Sequence, residues 1–225
     1  KNFSPLYTLR VSAKGSYDDI YYTSTWGDSR YGQTEIQLNS AHDFQIKDWW
    51  KLSFAADARW DALMSTNYEA SRLTALSALA SSFRTERFMA TVALEYEGAF
   101  DCDGLSRNAF SPSADLRFTA FEGFDIVAFG RRAYRIPTFN ELYYVGYGNP
   151  QLAPEDAWLT DLGIDFNRRV NAAWTMKLKA DVFCNLLKNK IVSAPTEEDP
   201  NIWAPYNVGK VRYAGMDFLA GTSYE

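Results

Sequence analysis

Residues 50–62 impose the strongest constraint on the fold, because their apolar and polar side chains alternate almost without interruption. Trp50, Leu52, Phe54 and Trp60 share one face, and the intervening positions carry Lys, Ser, Asp and Arg apart from a single Ala. A period of two residues is the signature of a β-strand with two different faces. Strands in soluble sheets are usually about five or six residues long. The segment therefore predicts an unusually long strand.

The same alternation recurs along the chain, which predicts an all-β protein of about eleven strands. Residues 70–83 are the weakest case, since Leu73, Leu76 and Leu79 would also suit a helix, and we predict a strand there from its context. The clearer segments are residues 7–11, 36–46, 88–96, 116–120, 158–166 and 174–186.

The connections between these segments alternate between short and long. In an antiparallel meander every second connection lies at the same end of the sheet, so the tight turns are expected on one rim and the long loops on the other. Outer-membrane β-barrels follow this plan. The predicted tight turns are residues 14–15, 47–48, 84–86, 122–123 and 168–171; the predicted longer connections are residues 27–32, 64–69, 101–108, 135–155 and 193–207.

The two faces of the strands fit a wall between lipid and water. Aromatic side chains flank the predicted tight turns, as at membrane interfaces. The opposite face carries charges that would line a hydrated interior: Asp57, Arg59, Asp61, Glu95, Glu97, Arg117 and Arg131. A soluble β-sandwich, with the apolar faces packed together, is the alternative. The sequence thus favours an antiparallel up-and-down transmembrane β-barrel.

Charge and composition exclude several functions. The net charge of -5 argues against a nucleic-acid partner, which would require a basic surface. His42 is the only histidine and no glycine-rich phosphate loop is present, so we predict no catalytic residues and no enzyme. No cofactor is expected, although two acidic loop segments are weak candidates for calcium: Asp101 with Asp103, and Glu197, Glu198 with Asp199.

Two motifs carry a resemblance to a known family. The segment RIPTFNELYYVGYGNPQLAPE, residues 135–155, contains a capping box at Thr138 and Glu141 that predicts a short helix. The segment YNVGKVRYAGMD follows at residues 206–217. Together they resemble the barrel-domain signature of TonB-dependent outer-membrane receptors, in pattern closest to the cobalamin and siderophore receptors.

This resemblance implies a 22-stranded barrel, of which residues 1–225 would form roughly half as a partial barrel domain. The plug domain, the TonB box and the closing strands would lie outside this sequence. It also implies a location in the outer membrane of a Gram-negative bacterium, contact with outer-membrane lipid, and TonB-coupled uptake of a large micronutrient, either cobalamin or a ferric siderophore. A passive porin-like or adhesive barrel is the first alternative, and a β-rich hydrolase the second.

Aromatic and polar residues crowd two of the predicted external loops. Exposed aromatic side chains at such density commonly mark binding surfaces. Interfacial anchoring and packing of one loop on another would explain them equally well. The candidate ligand-binding residues are Arg135, Asn140, Tyr143, Tyr144, Tyr147, Asn149, Trp203 and Tyr206.

Overall fold

The protein forms a single antiparallel sheet of eleven strands joined in sequence order, as a computed structural model shows. The structure describes residues 2–4, 6–25, 27–171 and 173–224, with side chains from residue 6 onward. Strands β1 and β11 are the two edges of the sheet. No helix in these ranges has the length and hydropathy needed to cross a membrane. The all-β meander predicted from the sequence is therefore confirmed.

The strands are long and follow one another as hairpins. The only helix in the described part of the chain, α1, spans Phe139–Tyr143 between β8 and β9. The strands are β1 (Asn2–Ser4), β2 (Tyr7–Ser24), β3 (Gly27–Lys47), β4 (Trp50–Ser65), β5 (Glu69–Arg84), β6 (Phe88–Asp101), β7 (Ser106–Phe121), β8 (Phe124–Arg135), β9 (Glu155–Arg169), β10 (Trp174–Pro195) and β11 (Trp203–Tyr224).

The register places the apolar stripes of neighbouring strands on one face of the sheet. Trp50 lies opposite Phe83 and Trp60 opposite Leu73. The ten-residue step from Trp50 to Trp60 covers about 25 Å across the wall at ~3.3 Å per residue and a tilt of roughly 40°. That height matches the apolar band of an outer-membrane barrel. On the other face Arg59 pairs with Asp61, Nε to Oδ2 at 2.8 Å.

Aromatic rings gather at the rim that carries the tight turns. Trp50 and Phe83 stack with ring centroids 6.1 Å apart, and Trp49 packs beside both. Phe121 and Phe124 flank the turn between β7 and β8 on the same rim, and their rings stack with centroids 4.9 Å apart. Such girdles mark the membrane–water boundary of a barrel. The predicted aromatic rim is confirmed.

Several of the predicted turns and loops are wrong in position or in length. Residues 14–15 lie in the middle of β2, where Lys14 pairs with Gln37 and Gly15 with Ile36. Residues 27–32 belong to β3, whose pairing with β2 runs as far as Ser24 and Gly27. Cross-strand pairing therefore overrides the local turn propensity of a Lys-Gly pair. Most predicted long loops are in fact extended hairpins, and residues 136–154 form the longest connection without strand structure in the described chain.

Candidate functional site

The long connection between β8 and β9 begins with a helix fixed by its cap. The Glu141 amide donates to Thr138 Oγ1 at 3.3 Å, and the Thr138 amide donates to Glu141 Oε2 at 2.7 Å. This reciprocal pair is the predicted capping box, which satisfies backbone donors at the start of α1. Burial alone would raise the pKa of Glu141, but hydrogen bonds from Arg135 and from the Thr138 amide hold it below its ordinary value.

Arg135 ties the two ends of this loop together. Its Nε donates to Glu155 Oε2 at 2.8 Å, while Nη1 and Nη2 donate to the two Glu141 oxygens at 3.0 and 3.2 Å. The second oxygen of Glu155 accepts from the Ile191 amide on β10 at 2.8 Å. The guanidinium fork suits this double recognition of carboxylates. Arg135 therefore acts in the structure as a clamp on the loop.

A buried ionic cluster lies below the start of the helix. The Asp101 carboxylate is fully buried and accepts from Arg72 Nε at 2.5 Å and from Arg107 Nη1 at 2.6 Å. Arg72 also donates to the Pro137 carbonyl at 3.0 Å and stacks on the Phe139 ring at 5.0 Å. Three strands of the wall are thus joined to the loop through desolvated charges, whose removal would be costly.

A small apolar core holds the rest of the loop against the wall. Leu142 and Leu152 are buried against Ile191 of β10. The Asn207 amide group donates to the Ala153 carbonyl at 2.9 Å, and its oxygen accepts from the Ala153 amide at 2.8 Å. Asn207 belongs to the second sequence motif. The two motifs therefore meet in space and fix each other.

Asn149 and Gly148 shape the return of the loop. Asn149 Nδ2 donates to the Pro205 carbonyl at 3.2 Å. A Cβ atom on Gly148 would lie 2.7 Å from the Tyr144 amide nitrogen and 2.8 Å from the Leu142 carbonyl, so only glycine fits there. This close approach holds Tyr144 at the turn that follows α1.

Tyrosine side chains link α1 and the turn that follows it to several parts of the wall. Tyr68 donates a hydrogen bond to Asn140 Oδ1 and packs edge-on against Tyr144, with centroids 6.2 Å apart. Tyr143 donates to Asp103 Oδ2 at 2.7 Å, and Tyr147 bonds to Ser193. Burial raises the pKa of Tyr68 to about 12, and burial with the Asp103 hydrogen bond raises that of Tyr143. The phenols therefore stay protonated at neutral pH and can donate hydrogen bonds.

A cavity of about 680 Å³ opens between the β2–β3 hairpin and the side of the long loop that carries Asn140 and Tyr144. Small-molecule sites commonly have volumes of roughly 300–1,000 Å³ and are lined by apolar groups with a few polar ones. Asp28 is the only lining residue with a charged side chain in the described part of the chain, and its carboxylate accepts from Tyr21 on the opposite face of the hairpin. The larger uncharged polar residues that line the cavity are Tyr22, Tyr31, Gln33, Asn67, Asn140 and Tyr144.

The structure brings some of the predicted ligand-binding residues together and separates others. Asn140 and Tyr144 line the cavity. Trp203 and Tyr206 lie at the start of β11, opposite Pro195 and Val192. Since the Asn207 side chain points to the loop, the adjacent Tyr206 points to the other face of the sheet.

Four further residues at this site could not be recognised in the sequence: Tyr22, Tyr31 and Asn67, which line the cavity, and Tyr68, which contacts Asn140 beside it. They stand outside the two motifs, and Tyr68 meets Asn140 across 72 positions of sequence. Their aromatic or amide character was the only available signal.

The acidic loop segments do not gather into a metal-binding group. Asp101 is occupied by two arginines, and Asp103 accepts from Tyr143 and from the Leu105 amide. No group of three or more His, Cys, Asp or Glu side chains suited to a metal ion occurs in the described ranges. Calcium binding stays a prediction.

Solved structures share this fold. The FrpB iron transporter from Neisseria meningitidis (F3-3 variant) superposes with a TM-score of 0.74 at 15% identity, covering 96% of this chain and 38% of its own. The copper transporter OprC gives 0.76 at 17%, covering 100% and 42%. The siderophore receptor PirA from Pseudomonas aeruginosa gives 0.68 at 20%, covering 96% and 48%. The chain thus spans less than half the length of these proteins.

The similar structures show the fold, and a match to a family model identifies the family. No curated protein matches the chain. The model of the TonB dependent receptor-like β-barrel matches residues 2–225. That family consists of outer-membrane receptors and transporters and not of enzymes. With its open meander, aromatic rim and two interlocked motifs, the chain belongs to the TonB-dependent receptor β-barrel family.

Proposed function

We propose that the chain forms part of the wall of a receptor that imports a large micronutrient across the outer membrane of a Gram-negative bacterium, with energy supplied through TonB. In this proposal residues 1–225 are a partial barrel domain in contact with outer-membrane lipid. The plug domain, the TonB box and the other strands belong to the rest of the receptor. The chain covers only 38–48% of the length of the three solved neighbours, which supports this division.

The cavity beside α1 is the observation that carries the proposal. It is large enough for part of a big ligand and is lined by tyrosine rings and amide groups. Tyrosine combines a large apolar area with a hydrogen-bond donor and is enriched at binding sites. Asn140 and Tyr144 would contact the ligand, while Arg135 and Asn149 would hold the loop in its binding conformation. Tyr143 would position α1 through Asp103.

The lining also bears on the kind of ligand. A buried anion requires a cation or several strong donors, because its desolvation is costly. The described lining contains no Lys or Arg. We therefore favour a neutral ligand, such as cobalamin or an uncharged ferric hydroxamate, over a highly anionic ferric catecholate. The structural neighbours include iron and copper transporters and a siderophore receptor, which supports uptake of a scarce metal as the class of function.

Whole-cell uptake tests the proposal. Cells expressing the complete receptor would be given labelled cobalamin, a ferric trihydroxamate and a ferric tricatecholate. The double variant Tyr31→Ala/Tyr144→Ala removes two rings from the cavity and should lower uptake of one neutral ligand by tenfold or more, since central aromatic contacts are worth about 2 kcal/mol or more. Tyr206→Ala, on the other face of β11, is the matched control and should leave uptake within about twofold.

The rival functions give different results. Unchanged uptake of every ligand in the double variant would remove the cavity from the mechanism. Uptake that continues at the same rate in cells lacking TonB would favour a passive pore. Binding to surfaces without uptake of any ligand would favour an adhesive barrel.

A further inference from the structure

The wall is divided between β7 and β8 near the rim that carries the long loop. The pairing of these two strands ends, toward that rim, at Ser113 and Arg131. Beyond this pair, residues 106–112 of β7 pair with β6 alone, and residues 132–135 of β8 pair with β9 alone. The structure describes both segments, and no backbone hydrogen bond joins one to the other. The upper wall therefore consists of two panels, β2–β7 and β8–β11, which meet along a seam.

The position of Pro112 explains why the β7–β8 ladder stops there. In an antiparallel strand the N–H and C=O groups of one residue point to the same neighbouring strand, and alternate residues share that side. The Phe110 carbonyl accepts a hydrogen bond from Arg132 of β8, so Phe110 and Pro112 both direct their backbone groups toward β8. Pro112 has no N–H to donate to a ladder. The proline therefore turns the upper part of β7 into an edge.

Arg132 bridges the seam next to this proline. Its Nη1 donates to the Phe110 carbonyl at 2.7 Å, while Nε and Nη2 donate to Asp156 of β9 at 2.8 and 2.9 Å. Pro112 lies about six residues, or roughly 15 Å of height, from Phe118 near the opposite rim, within an apolar band about 25 Å tall. An unsatisfied carbonyl at that depth is costly. The second panel thus holds a guanidinium that satisfies a carbonyl of the first.

The long loop joins the same two panels across the inner face. On the side of the first panel, the Pro137 carbonyl accepts from Arg72 of β5 at 3.0 Å. On the side of the second panel, Ala153 forms two hydrogen bonds with the Asn207 side chain of β11, at 2.8 and 2.9 Å. Residues 136–154 therefore form a strap over two panels that have no strand pairing with each other.

The other strands that meet at tight turns stay paired almost to the upper rim. The pairing of β5 with β6 reaches Arg72 and Asp101, and that of β9 with β10 reaches Asp156 and Lys188. Separating either of these pairs would break backbone hydrogen bonds, whereas parting β7 from β8 above Ser113 breaks none. The seam is therefore the easiest place for the upper wall to open.

We propose that the seam is a gate in the upper wall, which opens when the strap and the Arg132 bridge release together and which widens the mouth of the barrel. The paired part of β7 and β8, below Ser113 and Arg131, is the hinge. Each panel keeps its own strand pairs during the movement. Closure depends on the side chains that cross the seam and on the strap.

The gate has a consequence for uptake that rests on the proposed function. Asn140 and Tyr144 belong to the strap and line the cavity, so a ligand bound there contacts the segment that holds the panels together. The distance between the panels, in contrast, can be measured without any ligand. Failure of the gate and failure of the proposed uptake are therefore distinguishable.

The test is a distance measurement between the panels in the complete receptor, purified in detergent. Cys102 and Cys184 are replaced by serine, and spin labels are attached at Leu105→Cys in the first panel and Glu198→Cys in the second, both at exposed connections. Pulsed electron paramagnetic resonance then gives the distribution of distances across the seam. A label pair at Leu105→Cys and Glu69→Cys lies within the first panel and reports any general loosening.

Arg132→Gln/Asn207→Ala removes the bridge and one attachment of the strap. The population at longer distances across the seam should rise at least tenfold, since one hydrogen bond to a charged group contributes a factor of about ten or more. Adding Pro112→Ala supplies the missing N–H and should lower that population again. Arg117→Gln is the matched control, because Arg117 pairs with Asp125 at 2.7 Å between the same two strands where their ladder is intact. It should leave the distribution unchanged.

Three results would overturn the inference. Arg132→Gln/Asn207→Ala could leave the distances across the seam unchanged. Arg117→Gln, or the label pair within the first panel, could show the same broadening, which would indicate general loosening of the sheet. Pro112→Ala could leave the longer-distance population of the double variant as it was, in which case the break in the ladder does not form the gate.

Discussion

The two flanks of the long loop and its central tyrosines behave differently, although the same sequence signature contains both. The flanks are clamped to the wall by Arg135, by the capping box and by Asn149. The centre presents Tyr144 to the cavity and exposes Val145. Polar residues of the motif thus hold the loop in place, while Tyr144 between them faces the cavity. Changes to the residues that hold the loop should therefore have larger effects than changes to its tyrosines.

The largest effect is expected at the buried cluster. Asp101→Asn would leave Arg72 and Arg107 without their shared counter-charge in a desolvated site. Breaking a buried ion pair by removing one partner costs about 3–5 kcal/mol. The free energy of unfolding in urea, measured on the receptor in detergent, should fall by that amount. Asp103→Asn at the exposed neighbouring position is the control and should cost less than about 1 kcal/mol.

The capping box should give an intermediate effect. Glu141→Gln keeps the size of the side chain but weakens its bonds to Arg135 and to the Thr138 amide. Losing a helix cap that includes a charged hydrogen bond lowers stability by about 1–2 kcal/mol. Protease cleavage within residues 144–148 should accelerate accordingly. Cleavage at the wild-type rate would show that Glu141 does not hold the loop.

The loop should also loosen in acid. The folded pKa of Glu141 lies below its ordinary value of 4.5. Its stabilising contribution is therefore complete above that value and is lost as the pH falls through the lower, folded pKa. Protease cleavage of the loop should be constant near neutrality and rise below about pH 4.5, and Glu141→Gln should remove part of this rise. A rise between pH 6 and 8 would contradict the assignment.

The smallest effect is expected for a tyrosine hydroxyl at the loop surface. Tyr147→Phe removes only the hydrogen bond to Ser193, and both groups are exposed. Surface changes of this kind usually alter stability by less than about 0.5 kcal/mol. Urea unfolding should be unchanged within that limit. A loss above about 2 kcal/mol would show that Tyr147 belongs to the scaffold.

The sequence predicted the parts of the fold that depend on local pattern. The alternation from Trp50 to Trp60 fixed the strand faces, and the spacing of Thr138 and Glu141 predicted the cap. The turn at residues 14–15 was wrong because strand pairing between β2 and β3 outweighs a local turn signal. The cavity could not be predicted from local pattern. Tyr31 contacts Tyr144, and Tyr68 contacts Asn140, only because strand pairing brings distant parts of the chain together.

Cysteine labelling of the loop on intact cells tests the central claim, that its flanks are packed into the wall while its tip is open. Cys102 and Cys184 would first be replaced by serine, because they are the free thiols of the chain. Single cysteines at Leu142, Leu152 and Val145 would then be treated with a membrane-impermeant maleimide. The structure predicts fast labelling of Val145→Cys, which is 67% exposed, and slow labelling at Leu142 and Leu152, which are 0% and 3% exposed. Equal rates at all three positions would contradict the account.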